Sequence, residues 1–228
     1  MTAARRVLVC DDEPQILRAL RVILRDAGYE VTVAATAQEA LDAVAVKPPD
    51  AAILDLVLPD GDGVEVCRSV RGWSEMPIIV LSAVGEETEK VRALEAGADD
   101  YVTKPFGPGE LVARLKAALR RAGSAPPDDP VLSADGLALD QAAHRVTANG
   151  DEVHLTPTEF ELLRVLMRNR GRLMTHRALL TEVWGRAYEH DTQILRTHLA
   201  NLRRKIETTP GAPRYILTDP GVGYRFAD

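Results

Sequence analysis

Ala51-Ala-Ile-Leu-Asp-Leu-Val-Leu-Pro59 places a single carboxylate, that of Asp55, inside a run of apolar residues that otherwise reads as a buried strand. Burying a charge without compensation is costly, so something must hold Asp55 there. A position at the carboxyl end of the strand, a bound cation, or both would do so. Such an end is where an open parallel sheet presents its ligand crevice. A carboxylate that merely caps the following turn is the other reading of the same stretch.

The pattern around this strand repeats. Upstream, Val7 to Cys10 is a short apolar run ending in Asp11-Asp12-Glu13-Pro14, and apolar residues then recur at Ile16, Leu17, Leu20, Ile23 and Leu24. That spacing predicts a strand and a helix with Pro14 near its first position, closed by Ala27-Gly28. Glu30 to Ala34 reads as a second strand and Thr36 to Ala45 as a second helix. Downstream of the third strand, Pro59 to Gly63 is a turn and Val64 to Val70 a helix. Pro77 to Leu81 is a fourth strand ending in Ser82-Ala83, Glu86 to Ala96 a fourth helix, Asp100 to Thr103 a fifth strand and Gly109 to Arg121 a fifth helix. Alternating strands and helices predict an α/β fold with a five-stranded, doubly wound parallel sheet.

Right-handed crossovers bring the carboxyl ends of those strands to one edge. Asp11, Asp12, Asp55, Ser82 and Lys104 all fall at such ends. Three carboxylates there repel one another unless a cation sits among them, and oxygen-only ligands point to Mg²⁺ rather than zinc. A lysine and a hydroxyl facing the same crevice suit an incoming phosphoryl group. Taken singly, Lys104 reads as a solvated loop lysine, Ser82 as a turn former and Asp11-Asp12 as a helix cap; their joint placement at successive strand ends is what carries the reading.

Asp11-Asp12, Asp55, Ser82-Ala83, Gly97-Ala98-Asp99-Asp100-Tyr101 and Lys104-Pro105-Phe106, in this order over residues 5 to 121, resemble the receiver domain of bacterial two-component response regulators. The resemblance implies that Asp55 accepts a phosphoryl group from a sensor histidine kinase. It implies that Asp12, Asp55 and the backbone carbonyl of Val57 hold Mg²⁺ directly, with Asp11 acting through water. Lys104 would pair with the phosphate, the peptide to Pro105 would be cis, Ser82 would bond a phosphate oxygen, and Tyr101 would swing inward once Ser82 is engaged. These roles fit the chemistry: a carboxylate attacking phosphorus needs Mg²⁺ and Lys104 to offset charge on the equatorial oxygens, and the product gains about −1.5 to −2 of charge for Ser82 and Lys104 to recruit.

Lys90, Glu95, Asp99, Asp100, Glu110, Arg114, Lys116 and Arg121 make a mixed-charge set on the fourth and fifth helices and the fifth strand. An ordinary solvated face is one reading. The OmpR/PhoB branch of the family, which the chain resembles, uses matching positions for a symmetric dimer; that implies pairing of Lys90 with Glu110 and Asp100 with Arg114 between two copies on activation.

The chain has 228 residues with 46% apolar content, enough for two modest domains with real cores. Its net charge of −6 is uneven: the first 129 residues carry 15 Lys and Arg against 22 Asp and Glu, the remainder 13 against 12. Cys10 and Cys67 stand far apart beside apolar residues, which predicts buried thiols rather than a metal or disulfide site. The amino terminus fits neither a signal peptide nor a membrane span, so a cytoplasmic protein is expected, with no membrane partner.

Ala122-Gly-Ser-Ala-Pro-Pro-Asp-Asp129 is small, polar and proline-bearing, as a linker is. Domains of residues 1–121 and 130–228 follow. Val131 to Leu155 alternates apolar stretches with turn signals at Asp135-Gly136 and Asn149-Gly150, predicting a small antiparallel sheet. Thr156-Pro157-Thr158-Glu159 is a capping box ahead of a helix stopped by Gly171; Thr175 caps a second helix ended by Gly185; after the loop Arg186 to His190, Asp191 caps a third reaching Ile206. On that third helix Leu195, Leu199, Leu202 and Ile206 form a buried stripe. Arg196 and Arg203, seven residues apart with Thr197, Ala200 and Asn201 between them and Arg204 beside them, make another face, which is either generically solvated or suited to a DNA major groove.

Tyr215 to Thr218, the turn Pro220-Gly-Val-Gly223 and Tyr224-Arg-Phe226 read as a closing hairpin. Helix, helix, long loop, helix and hairpin resemble the winged helix-turn-helix effector of the same OmpR/PhoB branch. Within it, Arg71-Gly-Trp-Ser74, His154-Leu-Thr-Pro157, Val183-Trp-Gly185 and Gly221-Val-Gly-Tyr-Arg-Phe226 are most similar to regulators of potassium-uptake operons. The resemblance implies promoter DNA, a histidine kinase, a second copy of the chain and RNA polymerase as partners, and no enzymatic turnover. Some relatives carry an arginine in the wing where this chain has Pro220, so Arg214 and Arg225 are the other candidates for phosphate contact there. An aspartyl-phosphate phosphohydrolase would carry a second aspartate two residues after the nucleophile, where Val57 stands; a regulator that binds DNA without phosphorylation is the remaining alternative.

Overall fold

A computed structural model of the protein describes residues 4–83, 87–122 and 131–228. The expected start of the fourth helix at Glu86, and residues 123–130 with nearly all of the expected linker, lie outside the described residues. The chain divides into two compact units between Ala122 and Gly123.

The first unit runs β1 (Arg6–Cys10), α1 (Pro14–Asp26), β2 (Glu30–Ala34), α2 (Ala37–Val46), β3 (Ala51–Asp55), β4 (Val57–Leu58), β5 (Gly61–Asp62), α3 (Gly63–Arg71), β6 (Ile78–Ala83), α4 (Glu87–Glu95), β7 (Asp100–Lys104) and α5 (Pro108–Ala122). Strands β2-β1-β3-β6-β7 form one sheet in that order, every pair parallel. The order reverses between β1 and β3, which is where such a sheet opens a crevice beyond its carboxyl ends. Val7, Val9, Ile53, Ile79, Leu81 and Val102 point to one face and pack with Leu20 and Leu24 of α1 and Leu111, Leu115 and Leu119 of α5. Their neighbours Leu8, Leu54, Ile78 and Val80 are equally buried on the other face, so the strands read as continuous apolar runs rather than alternating ones.

The segment from Pro59 to Gly63 is more than a turn. Val57 pairs with Asp62 and Leu58 with Gly61, making a two-stranded ladder directly after Asp55. Two-residue strands carry no periodicity, so composition could only mark this segment as a turn.

The second unit opens with a four-stranded antiparallel sheet, β8 (Val131–Ala134), β9 (Leu137–Asp140), β10 (Arg145–Ala148) and β11 (Asp151–Val153). Then come α6 (Pro157–Arg168), β12 (Leu173–Thr175), α7 (His176–Val183), a 3-10 turn over Arg186–Tyr188, α8 (Thr192–Ile206), β13 (Ile216–Asp219) and β14 (Gly223–Phe226). Thr156 and Glu159 cap α6 reciprocally, Thr175 caps α7 and Asp191 caps α8 through the Ile194 amide. The closing hairpin gains a third strand, since β12 pairs with β14. Helix α6 ends at Arg168, three residues before Gly171, which takes up a left-handed φ of 72°.

Candidate functional site

At the carboxyl ends of β1 and β3, Asp11, Asp12 and Asp55 bring one carboxylate oxygen each within 4.8 Å of one another. Asp11 is fully buried, Asp55 nearly so, and Asp12 faces solvent. The Lys104 ammonium, at the end of β7, donates to Asp55 Oδ2 at 2.7 Å and to Asp11 Oδ2 at 2.8 Å, with Glu13 Oε1 at 3.8 Å. Asp55 Oδ1 accepts from the Leu56 amide at 2.7 Å and Asp11 Oδ1 from the Glu13 amide at 2.9 Å. Burial raises the Asp11 carboxyl above its usual range against the pull of Lys104, and nearby Asp55 adds to that rise. Burial opposes the Lys104 charge, but its hydrogen bonds to Asp11 and Asp55 outweigh it and hold the ammonium above the usual lysine range.

Three carboxylates against one ammonium leave the pocket short of positive charge, and its donors are all oxygen. That set fits a hard divalent cation such as Mg²⁺. Ser82 is the next-to-last residue of the neighbouring strand β6, and its Oγ is buried without a hydrogen-bond partner among the described residues. A buried hydroxyl left unbonded is rare and marks a place for an oxygen ligand. The Lys104–Pro105 peptide is cis. The Val57 side chain is exposed, on the strand that follows Asp55.

Tyr101 is half-buried, with the Lys90 ammonium 5.0 Å from its ring centre. Arg114 bonds within its own chain to Asp100 at 3.2 Å and Glu110 at 2.9 Å. Glu95, Glu110 and Lys116 are exposed. Three members of the expected charged face, Asp99, Asp100 and Arg121, are buried. Asp99 is fully buried, accepting from Arg71 at 2.6 Å and from the Ile78 amide at 2.9 Å, because the chain turns inward there to start β7. Arg121 is also buried.

On α8 the stripe of Leu195, Leu199, Leu202 and Ile206 is buried. Arg196, Ala200 and Arg204, four residues apart in turn, form an exposed row. The expected face narrows to that row, because three of its residues turn inward. Thr197 is buried and donates to the Gln193 carbonyl at 3.1 Å; Asn201 is buried and accepts from Arg204. Arg203 donates twice to the Ile216 carbonyl, at 3.1 and 2.6 Å, and to Thr218 Oγ1 at 2.8 Å, with its guanidinium 5.7 Å from the Tyr224 ring centre. The Ile216 carbonyl and Thr218 hydroxyl of the hairpin draw the Arg203 side chain away from the Arg196 row. Arg225 pairs with Asp219 at 2.9 Å and Arg214 with Asp135.

Sequence reasoning missed the residues that frame the pocket. Asp60 accepts from the Ala37 and Gln38 amides at 2.7 and 3.0 Å, fastening the post-Asp55 segment to the start of α2. Those amides, Gln38 foremost, hold the Asp60 carboxyl below its usual range. A Cβ on Gly63 would sit 2.1 Å from the Asp55 carbonyl oxygen, so only glycine fits there. The run Asp60-Gly-Asp-Gly63 was a signal for the close approach. Arg71 had none: it ties the end of α3 to the Gly97, Ser74 and Met76 carbonyls and to Asp99.

The family model for the response regulator receiver domain matches residues 7–116, and that for the carboxyl-terminal domain of transcriptional regulatory proteins matches residues 150–226. The chain is 54% identical over 221 residues to the transcriptional regulatory protein KdpE of Mycobacterium tuberculosis H37Rv, covering 96% of this chain and 98% of that protein. It is 49% identical over 221 residues to the KDP operon transcriptional regulatory protein KdpE of Escherichia coli K12, with the same coverage. Among solved structures, the response regulator DrrB, an OmpR/PhoB homolog of Thermotoga maritima, matches with a TM-score of 0.54 and 32% identity over 99% of this chain and 100% of that one. The C128D mutant of RitR matches with a TM-score of 0.80 and 25% identity over 98% and 99%. Among the described residues no helix is long and apolar enough to cross a membrane.

Proposed function

Since the chain belongs to the OmpR/PhoB branch of the two-component response regulators, as a DNA-binding transcription factor close to KdpE, we propose that phosphorylation of Asp55 by a sensor histidine kinase switches it and that its target is a potassium-uptake operon. The observation that carries the switch is the Lys104 bridge between Asp55 and Asp11, beside an unpartnered Ser82 hydroxyl.

Asp12, Asp55 and the Val57 carbonyl would hold Mg²⁺ directly and Asp11 through water, and the ion would supply charge compensation for the phosphoryl oxygens. Asp55 Oδ2 attacks the phosphorus of the kinase's phosphohistidine, forming the O–P bond as the P–N bond breaks and the imidazole leaves. The Leu56 amide holds the other carboxylate oxygen in place, so the nucleophile enters already oriented. Lys104 then exchanges its bond to Asp55 for one to the phosphate, and Ser82 donates to a phosphate oxygen. Tyr101 turns inward behind Ser82, leaving Lys90. The surface of Lys90, Glu95, Glu110, Arg114 and Lys116 is freed for a second copy, with Arg114 releasing Glu110 and the buried Asp100 of its own chain for partners on the other protomer. Promoter DNA meets α8 along Arg196, Ala200 and Arg204, and RNA polymerase is the further partner on DNA.

Intact-mass measurement after incubation with a small-molecule phosphodonor and Mg²⁺ tests the switch. One phosphoryl group is expected on the wild type and none on Asp55→Ala; modification of another side chain, or none at all, sinks the reading. Genome-wide footprinting of both proteins tests the target, with occupancy upstream of potassium-uptake genes that depends on Asp55 as the expected result.

A further inference from the structure

The segment after Asp55 is held at three points. Asp60 fastens it to the amino end of α2. Gly63 brings it into backbone contact with Asp55 itself, its amide donating to the Leu56 carbonyl at 2.8 Å. The third point is Asp62. Its Oδ1 caps α3 through the Val64 amide at 2.8 Å, and its Oδ2 accepts from Arg92 of α4 at 3.0 Å. Arg92 is itself braced by Glu89, one turn earlier on α4, at 2.9 and 2.6 Å. Asp62 stands directly opposite Val57 in the β4–β5 ladder.

We infer that Arg92 is a positioning residue for this segment, and that its ion pair with Asp62 ties the placement of Val57 to α4, so that α4 responds when a cation enters the carboxylate pocket. The inference rests on the reading of the Val57 carbonyl as a Mg²⁺ ligand. A shift of Val57 on metal binding is passed across the ladder to Asp62, and from there to Arg92. By linkage the tie also works in reverse, so fixing α4 favours the metal. On its other flank α4 carries Lys90 against Tyr101, so the same helix spans the acceptor segment and the aromatic side chain at the neighbouring strand.

A simple charge effect makes the opposite prediction for one variant. Arg92 is a cation near an acidic pocket; if it acted only through its field, removing it would tighten Mg²⁺ binding, while removing the Asp62 charge would weaken it. Positioning predicts that both removals weaken it. The side chains of Arg92 and Asp62 are 45% and 36% exposed, so the pair is screened and its effect is modest and salt-dependent.

The test is calorimetric titration of the full chain with Mg²⁺ alone, alongside hydrogen exchange of the α4 amides with and without Mg²⁺, for wild type, Arg92→Ala, Arg92→Lys, Asp62→Asn and the double variant. Asparagine keeps the α3 cap and removes only the charge. Arg92→Ala and Asp62→Asn are each expected to raise the Mg²⁺ dissociation constant about two- to fivefold, with no further loss in the double variant, partial recovery in Arg92→Lys, and loss of the Mg²⁺ effect on α4 exchange. Opposite signs for the two single variants, additive losses, or an unchanged α4 response would overturn the tie. A wild type that binds no Mg²⁺ would instead remove the pocket reading on which the tie depends.

Discussion

Lys104 Nζ stands 2.7 Å from Asp55 Oδ2 across 49 residues of sequence, occupying one face of the carboxylate that the proposed chemistry must use. Lys104→Ala removes the fixed cation at the place where phosphoryl charge develops. Phosphorylation of Asp55 by a small-molecule donor is expected to slow by about ten- to a hundredfold, toward the range for loss of one positioned oxyanion donor. An initial rate equal to wild type would remove Lys104 from the transfer step.

Mg²⁺ should stabilise the receiver unit by mass action, by about 2.7 kcal/mol at a hundred times its dissociation constant. Asp12 is solvent-exposed, so Asp12→Asn leaves the fold intact while removing one ligand. Thermal unfolding with Mg²⁺ and with EDTA reads the difference. The wild-type shift should shrink severalfold in Asp12→Asn, and an equal shift in both proteins would show that the metal sits elsewhere.

Arg71→Ala removes the cation from the fully buried carboxylate of Asp99, which keeps the Ile78 amide, and a donor from three backbone carbonyls. Breaking one side of a buried pair costs about 3–5 kcal/mol. Urea unfolding of the receiver unit should show a loss of that order, and Arg71→Lys should recover little, because an ammonium cannot span four acceptors in a planar fork. A loss below about 1 kcal/mol would contradict the role.

Arg196→Ala and Arg204→Ala should weaken binding to DNA and make its salt dependence shallower, each by about one unit of the logarithmic slope. Arg203→Ala should behave differently: it removes bonds from a charged donor to the Ile216 carbonyl and Thr218, worth about 1.5–3 kcal/mol of effector stability, with the slope unchanged. Urea unfolding and salt titrations of DNA binding separate the two behaviours. Unchanged stability with a shallower slope in Arg203→Ala would return that residue to the DNA interface.

Burial pushes the thiols of Cys10 and Cys67 up to about 12 from an ordinary 9.0. A folded-state pKa above the unfolded one gives a contribution that is complete below pH 9 and is lost as pH rises from 9 toward 12. Both thiols should resist alkylation at pH 8 in the folded protein, and Cys67→Ala should flatten the alkaline fall in stability. Rapid alkylation of either thiol without unfolding would contradict their burial.

Much of the fold was legible because its causes are local. The apolar runs ending at Cys10, Asp55 and Leu81, the helix caps at Thr156, Thr175 and Asp191, and the glycines after α1 and α4 each act over a few residues, and the expected elements lie where those signals put them. The gathering of Asp11, Asp12, Asp55, Ser82 and Lys104 was legible too, because topology alone brings successive parallel strand ends together. What escaped was decided by distance. The third strand of the hairpin is only three residues long, and its partner lies about fifty residues away, so no periodicity marks it.

The sequence by itself determined the alternation of strands and helices, the acidic pocket and the family, since all of these follow from residue type and order. Only the tertiary structure decided which charges face solvent. Asp99 and Asp100 adjoin in sequence, yet one is clamped by Arg71 and the other by Arg114. Arg196 and Arg203 share a helix, yet one is exposed while the other is bonded to the hairpin. A charged side chain goes where a partner can satisfy it, and those partners come from distant parts of the chain. That is also why Asp55 can sit where it does: Lys104 and Asp11 stand beside it only once β1, β3 and β7 lie in one sheet.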